Sequence, residues 1–170
     1  MTTQSSAGAT MATNQASFAH PELMLSLLVP DDWAVEQVAP NQIRFYAPAV
    51  PDLDDYQPTM SFTLGEPEGT GAAWFEEFVT RARNQLEAGY EGFRLLGTDL
   101  YTNSSFADVA VTTYEWEPQP GMAFAQLQAL LAVDATRMYL VNAATRVELA
   151  DRYLPVFEQV LRDLRVLPPR

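Results

Sequence analysis

A nucleophilic triad in this chain would have to pass through His20, its only histidine, which stands beside Pro21 at the edge of a polar N-terminal segment. That is a poor position for a base that a third group must hold in place. Cysteine is absent, which removes a thiol nucleophile, a disulfide framework and a thiolate zinc site. One histidine cannot supply a zinc centre that needs several His or Cys ligands. All ten basic residues are arginine, so the chain has no amine for a Schiff base, no lysine general base and no lysine for a Walker phosphate loop. No catalytic residue, metal ligand set or cofactor is assigned on these grounds.

Oxygen chemistry is what remains. The run Asp52, Asp54 and Asp55 offers carboxylates to a cation such as calcium, but D-L-D-D-Y lacks the glycine turn and the distant bidentate glutamate of a calcium loop. A solvated acidic loop is the better reading, and as such it could form part of a surface for a basic partner. Paired carboxylates for glycoside hydrolysis are defined by a separation in space, and 22 acidic residues offer too many pairs to choose from. The sequence G-T-G at residues 69–71 lacks the third glycine of a dinucleotide fingerprint and reads as a loop feeding a helix. Tyr114, Trp116 and Phe124 flank the turn E-P-Q-P-G. They either pack beneath a helix or wall a groove on the outer face of a sheet, and with the acidic loop they are the candidate partner-binding residues.

With 22 acidic against ten basic residues, the formal charge is −12. Phosphate backbones and anionic lipid surfaces repel such a chain, so nucleic acid is not an expected partner. The acids are uneven: residues 1–136 hold 18 of them with four arginines, and residues 137–170 hold four with six arginines. An acidic surface serves solubility first and a basic partner second. Residues 1–17 are rich in Ser, Thr, Ala and Gln and contain no apolar run, which predicts a flexible tail before one domain at residues 18–170. No stretch resembles a secretory signal or a membrane span, and no cysteine is present for lipidation, so a cytoplasmic location is expected.

The elements that must position these residues follow from hydrophobic period. Leu23, Leu25, Leu27 and Val29 alternate on one side of an opening strand that Pro30 stops. Short strands are expected at residues 33–39, 42–46 and 59–64, with a proline-rich acidic loop before the last. Trp74, Phe78, Ala82 and Leu86, with Phe75 and Val79 beside them, predict an amphipathic helix over residues 72–88 ending near Gly89. Strands are then expected at 94–101, 107–117, 122–133 and 138–143, joined by turns short enough for antiparallel hairpins. The segment 122–133 has strong helix formers, but its alternation from Ala123 to Val133 between two turns favours a strand. Thr145 and Glu148 have the spacing of a capping box, predicting a helix that Pro155 divides into two pieces.

This order, with the opening L-S-L-L-V-P-D-D-W and the closing Y-L-P-V-F-E-Q-V-L-R-D-L, resembles the Mog1/PsbP-like superfamily, including its DcrB-like and LpqN-like bacterial proteins. The resemblance implies an α+β fold, an α/β/α sandwich around a central antiparallel sheet, with one helix after the first strands and two C-terminal helical pieces. It also implies a protein that binds other proteins and is not an enzyme: an adaptor or a chaperone-like module, with a homodimer as one possible assembly. The alternatives are a small-molecule-binding protein or carboxylate-based hydrolase, and a structural subunit of a larger assembly. Fold alone does not choose among them.

Overall fold

The computed structural model of the protein describes residues 14–168. Two antiparallel sheets and two helices make three layers. The small sheet is formed by β1 (Gln15–His20), β2 (Leu25–Pro30) and the two-residue β10 (Arg165–Val166), in the order β1-β2-β10. The large sheet holds β3 (Ala34–Ala39), β4 (Gln42–Tyr46), β5 (Thr59–Gly65), β6 (Arg94–Tyr101), β7 (Asp108–Gln119), β8 (Met122–Ala132) and β9 (Met138–Arg146). Its strand order is β3-β4-β5-β9-β8-β7-β6. Helix α1 (Ala72–Gly89) lies on one face; α2 (Ala150–Asp163) and the small sheet cover the other.

Side-chain alternation sets which face each strand buries. Ala125, Leu127, Ala129 and Leu131 of β8 are buried toward the α2 side. The strand reading of this segment holds against its helix propensity because β7 and β9 pair with it on both sides. On β2, Leu25, Leu27 and Val29 join Ile43, Phe45, Met60 and Phe62 in the same core, which α2 closes with Tyr153, Phe157, Val160 and Leu161. Trp33 packs edge-on against Phe157 at 6.1 Å between ring centroids. The Tyr139 hydroxyl donates to the Leu23 carbonyl at 2.6 Å, tying the two sheets together inside that core.

Helix α1 buries Phe75, Val79 and Leu86, while Trp74 and Phe78 flank them, stacked on each other at 5.2 Å. Gly71 precedes the helix with φ +90°, a conformation that favours glycine. A Cβ on Gly69 would overlap the Trp74 indole, so the G-T-G run serves the packing of the helix entrance.

Three expectations need correction. The tail expected at residues 1–17 lies outside the described residues as far as residue 13, but residues 15–17 begin β1, where the Phe18 ring meets Phe45 edge-on at 5.2 Å. Thr145 does not cap a helix: it belongs to β9, opposite Ala125, because β8 continues far enough to pair with it. The two C-terminal helical pieces are a 3₁₀ turn, Val147–Leu149, and α2, and their junction is not at Pro155. Pro155 lies inside α2, where it removes the helical hydrogen bond to the Asp151 carbonyl; both residues are solvent-exposed, so the loss falls on the open side of the helix.

Candidate functional site

The candidate residues from the sequence occupy two places. Tyr114 is 1% exposed, packed against Tyr90 and Phe93 with its hydroxyl donating to Gln126 Oε1 at 2.7 Å. Burial pushes its phenol pKa up strongly, with Tyr90 adding to the shift. It is a core residue and cannot wall an open groove. Trp116 and Phe124 face each other across β7 and β8, partly buried, with ring centroids 5.7 Å apart. Tyr90 closes one side of Trp116 at 4.6 Å, and Tyr56 meets Phe124 at 6.0 Å.

Tyr56 connects this aromatic ridge to the acidic loop. Asp52 lies in a 3₁₀ turn, Pro51–Leu53, and Asp54 and Asp55 follow with φ of 54° and 56°, left-handed values that Asp tolerates better than most residues. A bridge between Val50 and Tyr56 closes the loop. The structure therefore brings the ridge and the three exposed carboxylates to one end of the sheet. Arg146 also belongs there, ion-paired to Glu148 at 2.7 Å and 6.0 Å from the Phe124 centroid. Trp116 Nε1 and Arg146 Nε are both buried without a hydrogen-bond partner among the described residues. Sequence reading missed Tyr56 and Arg146 because only the β5, β8 and β9 pairings bring them to this corner.

A second feature went unrecognised because it depends on strand order. The large sheet ends in β6, whose outer side has no partner among the described residues. Leu95, Leu96 and Leu100 on this strand are 44%, 42% and 60% exposed. Helix α2 does not reach over it, and the gap between them is a groove of about 710 Å3 floored by Tyr101, Val111, Leu154 and Leu161 and edged by Asp99 and Glu158. Tyr101 has a raised pKa, first through burial and then through the neighbouring Asp99 charge. The only hint in the sequence is that the leucines of R-L-L-G-T-D-L-Y do not alternate as a strand buried on one face requires.

The carboxyl groups with shifted pKa values do not fit general acid chemistry. Asp134 is held at about 2 by hydrogen bonds from Arg137 and from the Thr136 N–H. Glu148 is lowered by its own N–H and by Arg146. Both are stabilised as anions, the opposite of a carboxyl poised to donate a proton. His20 accepts from the Leu23 N–H through Nδ1 and contacts Gln37 Oε1 through Nε2 at 2.7 Å, which uses both ring nitrogens in structural bonds. Among the described residues, no three His, Asp or Glu side chains converge as a metal site, and no helix is long and apolar enough to cross a membrane.

No protein-family model matches the sequence, and no curated protein matches it. Solved structures do. PsbP from the cyanobacterium Synechocystis sp. PCC 6803 superposes with a TM-score of 0.63 at 12% identity, covering 95% of this chain and 98% of that one. LpqN of Mycobacterium tuberculosis, involved in cell envelope biogenesis, gives 0.63 at 17% identity over 91% of each chain. The Ran-binding protein Mog1p of Saccharomyces cerevisiae gives 0.59 at 11% identity over 92% of this chain and 97% of its own. At these identities the likeness is one of architecture, and the chain has the Mog1/PsbP-like fold.

Proposed function

We propose that this protein is a non-enzymatic, single-domain binding module, an adaptor or chaperone-like protein whose ligand is another protein. The observation that carries this reading is the β6 edge, unpartnered among the described residues, where Leu96 lines the groove on the α2 side and Leu95 and Leu100 are exposed on the α1 side. An edge strand offers unpaired main-chain N–H and C=O groups, and proteins usually blunt such edges with charge or cover. Here the edge carries exposed leucines between Arg94 and Asp99. The aromatic ridge of Trp116 and Phe124, with Asp52, Asp54 and Asp55, provides a flanking surface near the start of β6, since Arg94 pairs with Glu115 next to Trp116. A Ran-binding protein among the structural neighbours is consistent with this use of the fold.

The test is site-specific photocrosslinking in the native host with a benzophenone amino acid at position 100 and, as a control, at position 35 on the opposite edge. A single protein captured in stoichiometric yield from position 100 only is the expected result. Capture of nothing from either position would overturn the reading. A small-molecule ligand is the second reading, favoured by the groove volume, which falls within the range of ligand pockets. A thermal-shift screen separates the two, because a ligand of the native state raises Tm by mass action.

A further inference from the structure

We infer that the occupant of the β6 edge is an extended, cationic segment of a partner protein, added to the large sheet as an eighth strand with its inward side chains over the α2 groove. The inference rests on the protein-binding reading above and names the partner's chemistry. Three observations support it.

The first is the geometry of the edge. In an antiparallel ladder, alternate residues point their N–H and C=O groups away from the neighbour. Among the described residues β6 pairs with β7 on one side only, so it presents such groups on its outer side. Only another extended chain satisfies them in series, which excludes a helix as the element seated on the edge itself.

The second is the groove beneath. Side chains of an added strand alternate, and those directed toward the α2 side would lie over Tyr101, Leu154 and Leu161, with Asp99 and Glu158 at the rim. Asp99 makes no ion pair among the described residues. Glu158 has only a long contact to the exposed Arg162, at 3.7 Å. Counting Arg162, the rim carries a net negative charge, and Arg94 at the far end of the strand is neutralised by Glu115. Lysine or arginine on the incoming strand would gain a carboxylate while its aliphatic stem covers the apolar floor.

The third is the charge of the whole molecule, which decides between the two occupants an open edge could take. A second copy pairing β6 with β6 would bring −12 against −12. A cationic segment is instead drawn in by the same field that repels the copy.

The experiment uses the full chain and three fluorescein-labelled peptides: alternating valine and lysine, alternating valine and glutamate, and alternating valine and serine. Binding is read by anisotropy up to about 1 mM peptide, and the site by amide hydrogen exchange. The valine–lysine peptide should bind at least about tenfold more tightly than the other two and slow exchange in β6. The double variant Asp99→Lys with Glu158→Lys should cancel that preference, and Val35→Asp on the opposite edge should not. Equal binding of all three peptides with β6 protected would overturn the cationic assignment and leave the protein-binding edge intact. No peptide protecting β6 would overturn the added strand, and crosslinking from position 100 then decides whether the binding reading survives in another form. Concentration-dependent dimerisation in sedimentation velocity with β6 protected would assign the edge to a second copy and overturn the inference.

Discussion

The two faces of the large sheet differ in depth. On the α2 side, the small sheet and α2 bury a continuous core that runs from Leu23 to Leu164 and includes Phe45, Phe62, Tyr139 and Phe157. On the α1 side, the buried cluster consists of Phe75, Val79, Ala110 and Leu130. Beside it a polar row crosses five strands in register, from Ser61 through Asn142, Gln128 and Thr112 to Thr98. One face therefore supplies most of the burial that holds the fold, and the other is a thin layer beside a partly polar sheet. The deep face stops short of β6, which is why the groove opens there. Burial is roughly proportional to apolar area removed from water, so equal truncations on the two faces should not cost the same.

The largest effect should come from Phe157→Ala. Phe157 is fully buried between Trp33 and Tyr153, and truncation should cost about 3–5 kcal/mol in urea unfolding. A loss below about 1 kcal/mol would show that α2 is not the keystone of the deep face. Next comes Tyr139→Phe, which leaves the buried Leu23 carbonyl without its donor. That should cost about 1–3 kcal/mol at neutral pH.

Tyr139 also sets an alkaline dependence. Burial pushes its pKa from 10 up to about 12, with Asp134 raising it and Arg137 opposing. A phenol that ionises less readily in the folded state gives stability that is complete below pH 10 and is lost as pH rises through about 12. Tyr56, raised to about 12 by burial, adds in the same direction. The fall in unfolding free energy above pH 10 should be shallower in Tyr139→Phe than in the wild type. Parallel curves would mean that Tyr139 does not contribute to it.

On the thin face, Val79→Ala removes two carbon groups from a residue packed against the small cluster. At about 0.8 kcal/mol each, the expected loss is about 1.6 kcal/mol. If it matched the Phe157→Ala loss, the contrast between the faces would be wrong.

The same contrast explains what the sequence disclosed. The deep face was legible because its strands alternate cleanly and because β8 lies between two short turns; those local patterns are set by the requirement to bury one side. β1 was missed because Gln15, Ala16 and Ser17 bury almost nothing, and Phe18 alone anchors the strand on Phe45. Thr145 and Glu148 had capping-box spacing, but pairing with β8 outweighed a local signal worth about 1 kcal/mol. Trp116, Phe124 and the three aspartates were named from residue type, and the structure places them at one end of the sheet. Of the two readings open for Tyr114, packing in the core is the one observed, and the rings that bury it, Tyr90 and Phe93, follow α1 and are distant in sequence. The β6 edge went unrecognised because strand order is not read from a strand's own residues, and its non-alternating leucines were the one hint.

The smallest effect lies where the two faces meet. The β8–β9 turn carries Asp134, which accepts from Arg137 at 2.7 Å and from the Thr136 N–H at 2.9 Å. Arg137 reaches Met24 on the deep side, and Asp134 borders the hollow beside Trp74 on the thin side. The carboxylate is held at about 2 against an ordinary 3.8. Because the folded value is depressed, the stabilisation is present above pH 3.8 and disappears as pH falls through about 2. The group is exposed, so solvent screening keeps the contribution of Asp134→Asn at neutral pH below about 1 kcal/mol. The asparagine can still accept from Thr136 but no longer carries the charge that holds Arg137. Urea midpoints measured from pH 5 down to pH 2 should therefore converge for wild type and variant at the acid end. A constant offset across that range would assign the turn's contribution to packing between the faces and not to the carboxylate.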